Sequence, residues 1–165
     1  MKTLADRFRQ WYEHERDSNA KSLEMLQSVP AERRTDPLFQ KALDKMAHLV
    51  AARRRWLTRL GITTELPDIF PTGQLDELPA LVAATEAQWV NYLAKLDDDA
   101  LVKPFEWVWN GQRMRWTLEG ILTQVNGHAW YHRGQIAMLV SMVGGKMVDT
   151  DYVFFCKPEK LGPAE

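Results

Sequence analysis

Cysteine is nearly absent: one residue, Cys156, in 165. A single thiol excludes an intramolecular disulfide and fits a reducing compartment. Placed after Phe154 and Phe155, it reads as a small packed hydrophobe rather than a nucleophile. No apolar run is long enough to cross a bilayer. The N-terminus, Met1-Lys2-Thr3-Leu4-Ala5-Asp6-Arg7, turns to charge too soon for a signal peptide, so the expected location is the cytoplasm. An excess of one charge is missing too. With 21 basic and 22 acidic residues the net charge is −1, which leaves no electrostatic footprint for nucleic acid or an acidic membrane. No Gly-rich phosphate loop, Ser-centred elbow or Cys-x-x-Cys is present.

What is there is helical periodicity. The composition, 45% hydrophobic and 26% charged, is that of a soluble globular protein, and the length predicts one domain, 1–165. A first helix is expected over Thr3–Val29, with Leu4, Phe8, Trp11, Tyr12, Leu23 and Leu26 as its apolar stripe. Glu15 and Asn19 fall in the middle of that stripe and need partners or a wet cavity; His14 projects elsewhere and reads as a surface residue. A connection with Pro30 and Pro37 leads to a second helix, Leu38–Leu60, closed by Gly61. On it His48 flanks the stripe, and Arg53-Arg54-Arg55 reads as a solvated face with one arginine in an ion pair.

After a loop over Ile62–Thr72, a third helix is expected from Gln74 to Leu96, followed by Asp97-Asp98-Asp99 as a solvated loop. Alternating aromatic and polar residues on either side of Asn110-Gly111 predict a hairpin over Phe105–Trp116. A fourth helix opens at Thr117 and ends near Gly144-Gly145. The tail carries a short apolar patch, Tyr152–Phe155, and then turns polar. The fold class is all-α: a four-helix bundle with a short β-hairpin before the last helix.

Two of the four histidines, His128 and His132, lie four residues apart on that last helix and share a face. Zinc and similar ions take neutral imidazole nitrogens at about 2.0–2.1 Å. A third would come from another helix, and His48 is a better candidate than the outward His14. Ala129 stands where a zinc protease of the H-E-x-x-H type needs glutamate, and the Glu-x-x-His motifs of di-iron bundles are missing. Two readings remain: a mononuclear three-histidine site with an open position, or hydrogen-bonded interior histidines.

His128-x-x-x-His132-Arg133-Gly134-Gln135, followed by Asp149-x-Asp151 and an aromatic cluster, resembles the DinB/YfiT-like family. His48 eight residues before Trp56-Leu57 and the hairpin before the last helix resemble it as well. The resemblance implies a metal-binding four-helix bundle, a homodimer, and His48, His128 and His132 as ligands of one zinc or nickel ion. It also implies a small-molecule substrate and, by analogy with members of assigned activity, transfer of a low-molecular-weight thiol to an electrophile. A metal-dependent hydrolase and a non-enzymatic metal-stabilised or metal-sensing bundle are the alternatives. Around such an ion, Glu15, Asn19 and Gln124 are expected to orient a ligand imidazole, since metal-bound histidine usually donates its other N–H. Tyr131 and Trp130 either line the pocket or pack, and Arg133 fixes a substrate anion or, preferably, pairs with an acid on a neighbouring helix. This chain departs from the family at Gly127, Gln124, Tyr131 and Arg53, where asparagine, histidine, histidine and an acid are common.

Overall fold

The computed structural model describes residues 2–159, so the polar end of the tail, 160–165, lies outside the described residues. The chain is mostly helical with one small antiparallel sheet. Helix α1 spans Leu4–Gln27 and starts at a capping box, in which Thr3 accepts from the Asp6 amide and the Asp6 carboxylate from the Thr3 amide. A single 3₁₀ turn, Ala31–Arg33, leads to α2, Pro37–Arg59, where Asp36 accepts from the Leu38 amide and Pro37 fits the first turn. Helix α3 covers Leu78–Ala94. It begins later than its periodicity predicts, because Pro79 belongs in a first turn and holds the start there.

The three aspartates are solvent-exposed as expected but do not form a loop. They make a short helix, α4 (Asp98–Leu101), in which Asp97 caps the Ala100 amide. Asp98 accepts from the Leu4 and Ala5 amides at the start of α1 (3.3 and 2.8 Å), where a carboxylate meets the positive end of the helix dipole. Strands β1 (Pro104–Trp109) and β2 (Gln112–Thr117) form the expected hairpin. Positive φ at Asn110 and Gly111, 49° and 76°, is the primed turn that Asn-Gly favours. Helix α5, Leu118–Met142, follows directly, capped by Thr117; α6 is one turn, Tyr152–Cys156. Cys156 is exposed, contrary to its reading as a packed hydrophobe: a helix of five residues cannot cover all its sides.

Helix α2 packs most extensively on α5, and α1 contacts both α3 and α5. Two apolar clusters result. One gathers Met25, Leu26, Phe39, Met46 and Ile136; the other gathers Phe8, Tyr12, Leu57, Trp89 and Leu101. Each such fully buried side chain contributes about 1.5–3 kcal/mol relative to exposure. Polar side chains are buried as well, among them Glu15, Arg53, Asn126 and Arg133.

His14 is among the buried ones, at 2% exposure, and is no surface residue. Its Nε2 donates to the Thr150 carbonyl (2.8 Å), while Tyr152 and Phe155 close over the ring at 5.1 and 5.3 Å. The wheel of α1 alone cannot reveal a cover supplied from the far end of the chain. No described helix is long and apolar enough to cross a membrane.

Candidate metal centre

The i, i+4 spacing stacks His128 and His132 on one face of α5, with ring centroids 4.5 Å apart. His48 enters from α2, the helix most closely packed on α5, so a position on the flank of its stripe faces the seam between the two. Nε2 of His128 lies 3.2 Å from Nε2 of His48 and 3.1 Å from Nε2 of His132. One nitrogen from each ring falls within 4.8 Å of the others. Nitrogens held tetrahedrally at about 2.0–2.1 Å from a shared ion stand about 3.3 Å apart, so the spacing fits.

Tautomers sharpen the point. His48 Nδ1 donates to the Ile69 carbonyl (2.6 Å), and His132 Nδ1 donates to Gln135 Oε1 (2.7 Å). In neutral rings the Nε2 atoms of both are then bare acceptors. One hydrogen on His128 Nε2 serves only one of them. At least one lone pair is left facing another nitrogen, a situation that a divalent cation resolves and that hydrogen bonding among the three rings does not.

Burial and neighbouring charge disfavour protonation of His128 and His132. Burial, then His132 and His48, then Arg53, lower the His128 pKa to about 4. Burial also lowers that of His132, partly offset by the hydrogen bond it donates to Gln135. Phe70 stacks on His48 with centroids 4.9 Å apart and planes at 12°. The loop that carries Ile69 and Phe70 is anchored at Gly73. Its amide donates to Asp44, its carbonyl accepts from Gln40, and a Cβ there would lie 2.3 Å from the Leu43 carbonyl oxygen.

A family model described as the DinB family matches residues 1–164. The chain belongs to the DinB family. No curated protein and no solved structure matches it. In this DinB family member the three histidines could hold a metal ion, and the other expected site residues fall in different places. Glu15 is not aimed at a histidine. Its carboxylate accepts from Arg133 and pairs with Arg53 at 2.8 Å. Burial pushes its pKa up, and the two guanidinium groups more than offset this, leaving it below the usual carboxylate range. Arg133 takes the ion-pair role, and Arg53 is buried in the same layer rather than on a solvated face; α1 and α5 cover it there.

Asn19 donates to Glu86 (3.0 Å). Gln124 is exposed and lines a cavity of about 810 Å³ beside His48 and His128. Tyr131 is exposed, edge-on to His132 at 5.0 Å. Trp130 faces His14 instead, at 6.5 Å. Gln135 was not singled out in the sequence as an orienting group; its i+3 spacing to His132 is the signal that could have found it. The Ile69 carbonyl had none, because a backbone acceptor leaves no residue-type signal.

Proposed function

We propose that His48, His128 and His132 hold one divalent metal ion, zinc or nickel, with a coordination position open to the adjoining cavity. On this reading the protein is a metal-dependent enzyme acting on a small electrophilic substrate. The observation that carries it is the convergence of three Nε2 atoms, two of them on rings whose Nδ1 already donates elsewhere. An ion bound there lowers the pKa of a thiol or a water and so supplies a nucleophile at neutral pH.

The chain's own residues do the rest. Ile69 and Gln135 hold the ring orientations. Burial and the neighbouring cations keep His128 unprotonated at neutral pH. A cavity of about 810 Å³, walled in part by Trp56 and Trp107, is large enough for a small molecule. A closed structural site needs a fourth protein ligand. Among the described residues this trio is the one cluster that could hold a metal, and Glu15 is engaged by arginines. That favours an enzyme over a purely structural ion.

The family resemblance favours a low-molecular-weight thiol as the nucleophile, hence thiol S-transferase-like chemistry; water in its place makes the same site hydrolytic. With the family match over 1–164 in support, the reading also takes the chain as one domain, its four long helices as the family's bundle, and two copies as a cytoplasmic homodimer. The test is metal analysis of the purified protein and of His48→Ala, with thiol conjugation to a generic electrophile followed with and without chelator. The expected result is about one ion per chain, lost in the variant, and a rate abolished by chelation. Unchanged metal content in the variant, or chelator-insensitive conjugation, overturns the proposal.

A further inference from the structure

The cavity beside the histidines is lined by four arginines, Arg53, Arg55, Arg59 and Arg115, and by no acid, in a chain whose net charge is −1. Two of the four already pair with a carboxylate: Arg53 with Glu15 and Arg115 with Glu106, each shared with a second arginine. Arg55 and Arg59 do not. Among the described residues neither has a carboxylate within salt-bridge distance, whereas the adjacent Arg54 pairs with Glu65 at 2.5 Å. Arg55 spends one N–H on the Pro67 carbonyl (2.6 Å). Arg59 lies over the Trp56 ring, 4.7 Å from its centroid, and burial together with Arg55 holds its pKa below the ordinary arginine value. Two neighbouring cations, half-buried and without a counter-ion, form a site waiting for an anion.

The spacing says what kind. His48, Ala52, Arg55, Trp56 and Arg59 recur at helical intervals and all line the cavity. At about 1.5 Å per residue, Arg55 and Arg59 stand roughly 10–16 Å along α2 from His48. Beside the arginines, Trp56 and Trp107 meet edge to face at 5.5 Å, and Phe105 stacks on Trp107 at 6.3 Å. A flat apolar body fits against such rings.

We propose that this cavity binds an elongated organic anion, its carboxylate or phosphate held by Arg55 and Arg59, its flat middle on Trp56 and Trp107, and its reactive end at the histidines. The inference names the substrate class of the enzyme proposed above and rests on that reading for its reactive end alone; the anion site itself needs no metal. Arg55 and Arg59 bind and position, and take no part in bond making.

The experiment measures quenching of tryptophan fluorescence by a naphthyl-alkanoate and by its uncharged amide. Both are titrated into chelator-stripped and zinc-loaded protein, and into the Arg55→Gln/Arg59→Gln double variant. The carboxylate should bind at least about tenfold tighter than the amide in stripped and loaded protein alike. That preference should vanish in the double variant while its metal content and circular dichroism stay unchanged. Arg59→Gln alone serves if the double variant fails to fold, and should lose most of the preference. Equal binding of acid and amide overturns the proposal, as does a preference that survives the substitutions. A preference present only in zinc-loaded protein puts the carboxylate on the histidines and overturns it as well. Protein that takes up no zinc yet keeps the preference breaks the metal reading and leaves the anion site standing.

Discussion

Two buried polar layers lie side by side on α2 and α5, and they are completed in opposite ways. In one, Glu15 of α1 meets Arg53 of α2 and Arg133 of α5, so that each guanidinium finds a carboxylate within the chain. In the other, His48, His128 and His132 bring three acceptor-capable nitrogens together, with too few hydrogens to satisfy them. The first layer ties three helices together, and the second could hold a metal ion. They are also coupled. One carboxylate against two guanidinium groups leaves an excess positive charge, and Arg53 is among the groups that disfavour protonation of His128. The Glu15 layer thereby helps keep His128 in the unprotonated form that a metal would need.

The comparison breaks most visibly at Glu15. Glu15→Gln strands two buried guanidinium groups and should destabilise the protein by about 3–5 kcal/mol, measured by urea unfolding of chelated protein. A loss below about 1 kcal/mol would mean that the layer is wet and not closed. On the open side, His132→Ala should weaken zinc binding by more than about a hundredfold, the upper range for an orienting partner, as read by competition with a chromophoric chelator. Its cost to the chelated fold should be smaller than that of Glu15→Gln. Gln135→Ala removes only the acceptor that orients His132, so zinc affinity should drop by about 10–100-fold, with all three rings still present.

The gentlest probe is pH. His128 resists protonation until about pH 4 in the folded chain, against an ordinary value of 6.5, so between those limits the unfolded chain binds more protons. Stability of the chelated protein should therefore be complete above pH 6.5 and fall as pH drops towards 4. The decline contributed by this ring is at most about tenfold in the folding constant per pH unit. His132 and His14, also shifted down by burial, push the same way. Glu15, held low by its arginines, pushes the same way at the acid end of this window, where the unfolded carboxylate takes up its proton near 4.5. Stability that rises as pH falls would contradict the neutral, buried state of these rings.

Much of this was legible in the chain. The Asn110-Gly111 turn needs two residues that tolerate positive φ, and the pair announces itself. The spacing of His128 and His132 dictates a shared face on any helix. Glu15 and Asn19 in an apolar stripe announced a demand for partners, and partners were found: Arg53 and Arg133 for one, Glu86 for the other. Their identity was not legible, and the orienting role expected of Glu15 went to Gln135 and Ile69. His14 was misread because its cover, Thr150 to Phe155, comes from more than 130 residues away.

The residues alone determined what repeats within a single element: helical stripes, hairpin alternation, capping residues and the two histidines on α5. Local backbone geometry relates near neighbours by fixed angles, and a pattern of side chains is enough to read them. Tertiary structure alone decided which polar groups meet. It set His48 against the pair, gave Arg53 to Glu15, and left Arg55 and Arg59 without an acid among the described residues. Those outcomes depend on how the helices are rotated and offset against one another. Burial of the whole molecule selects that arrangement, and no single segment encodes it.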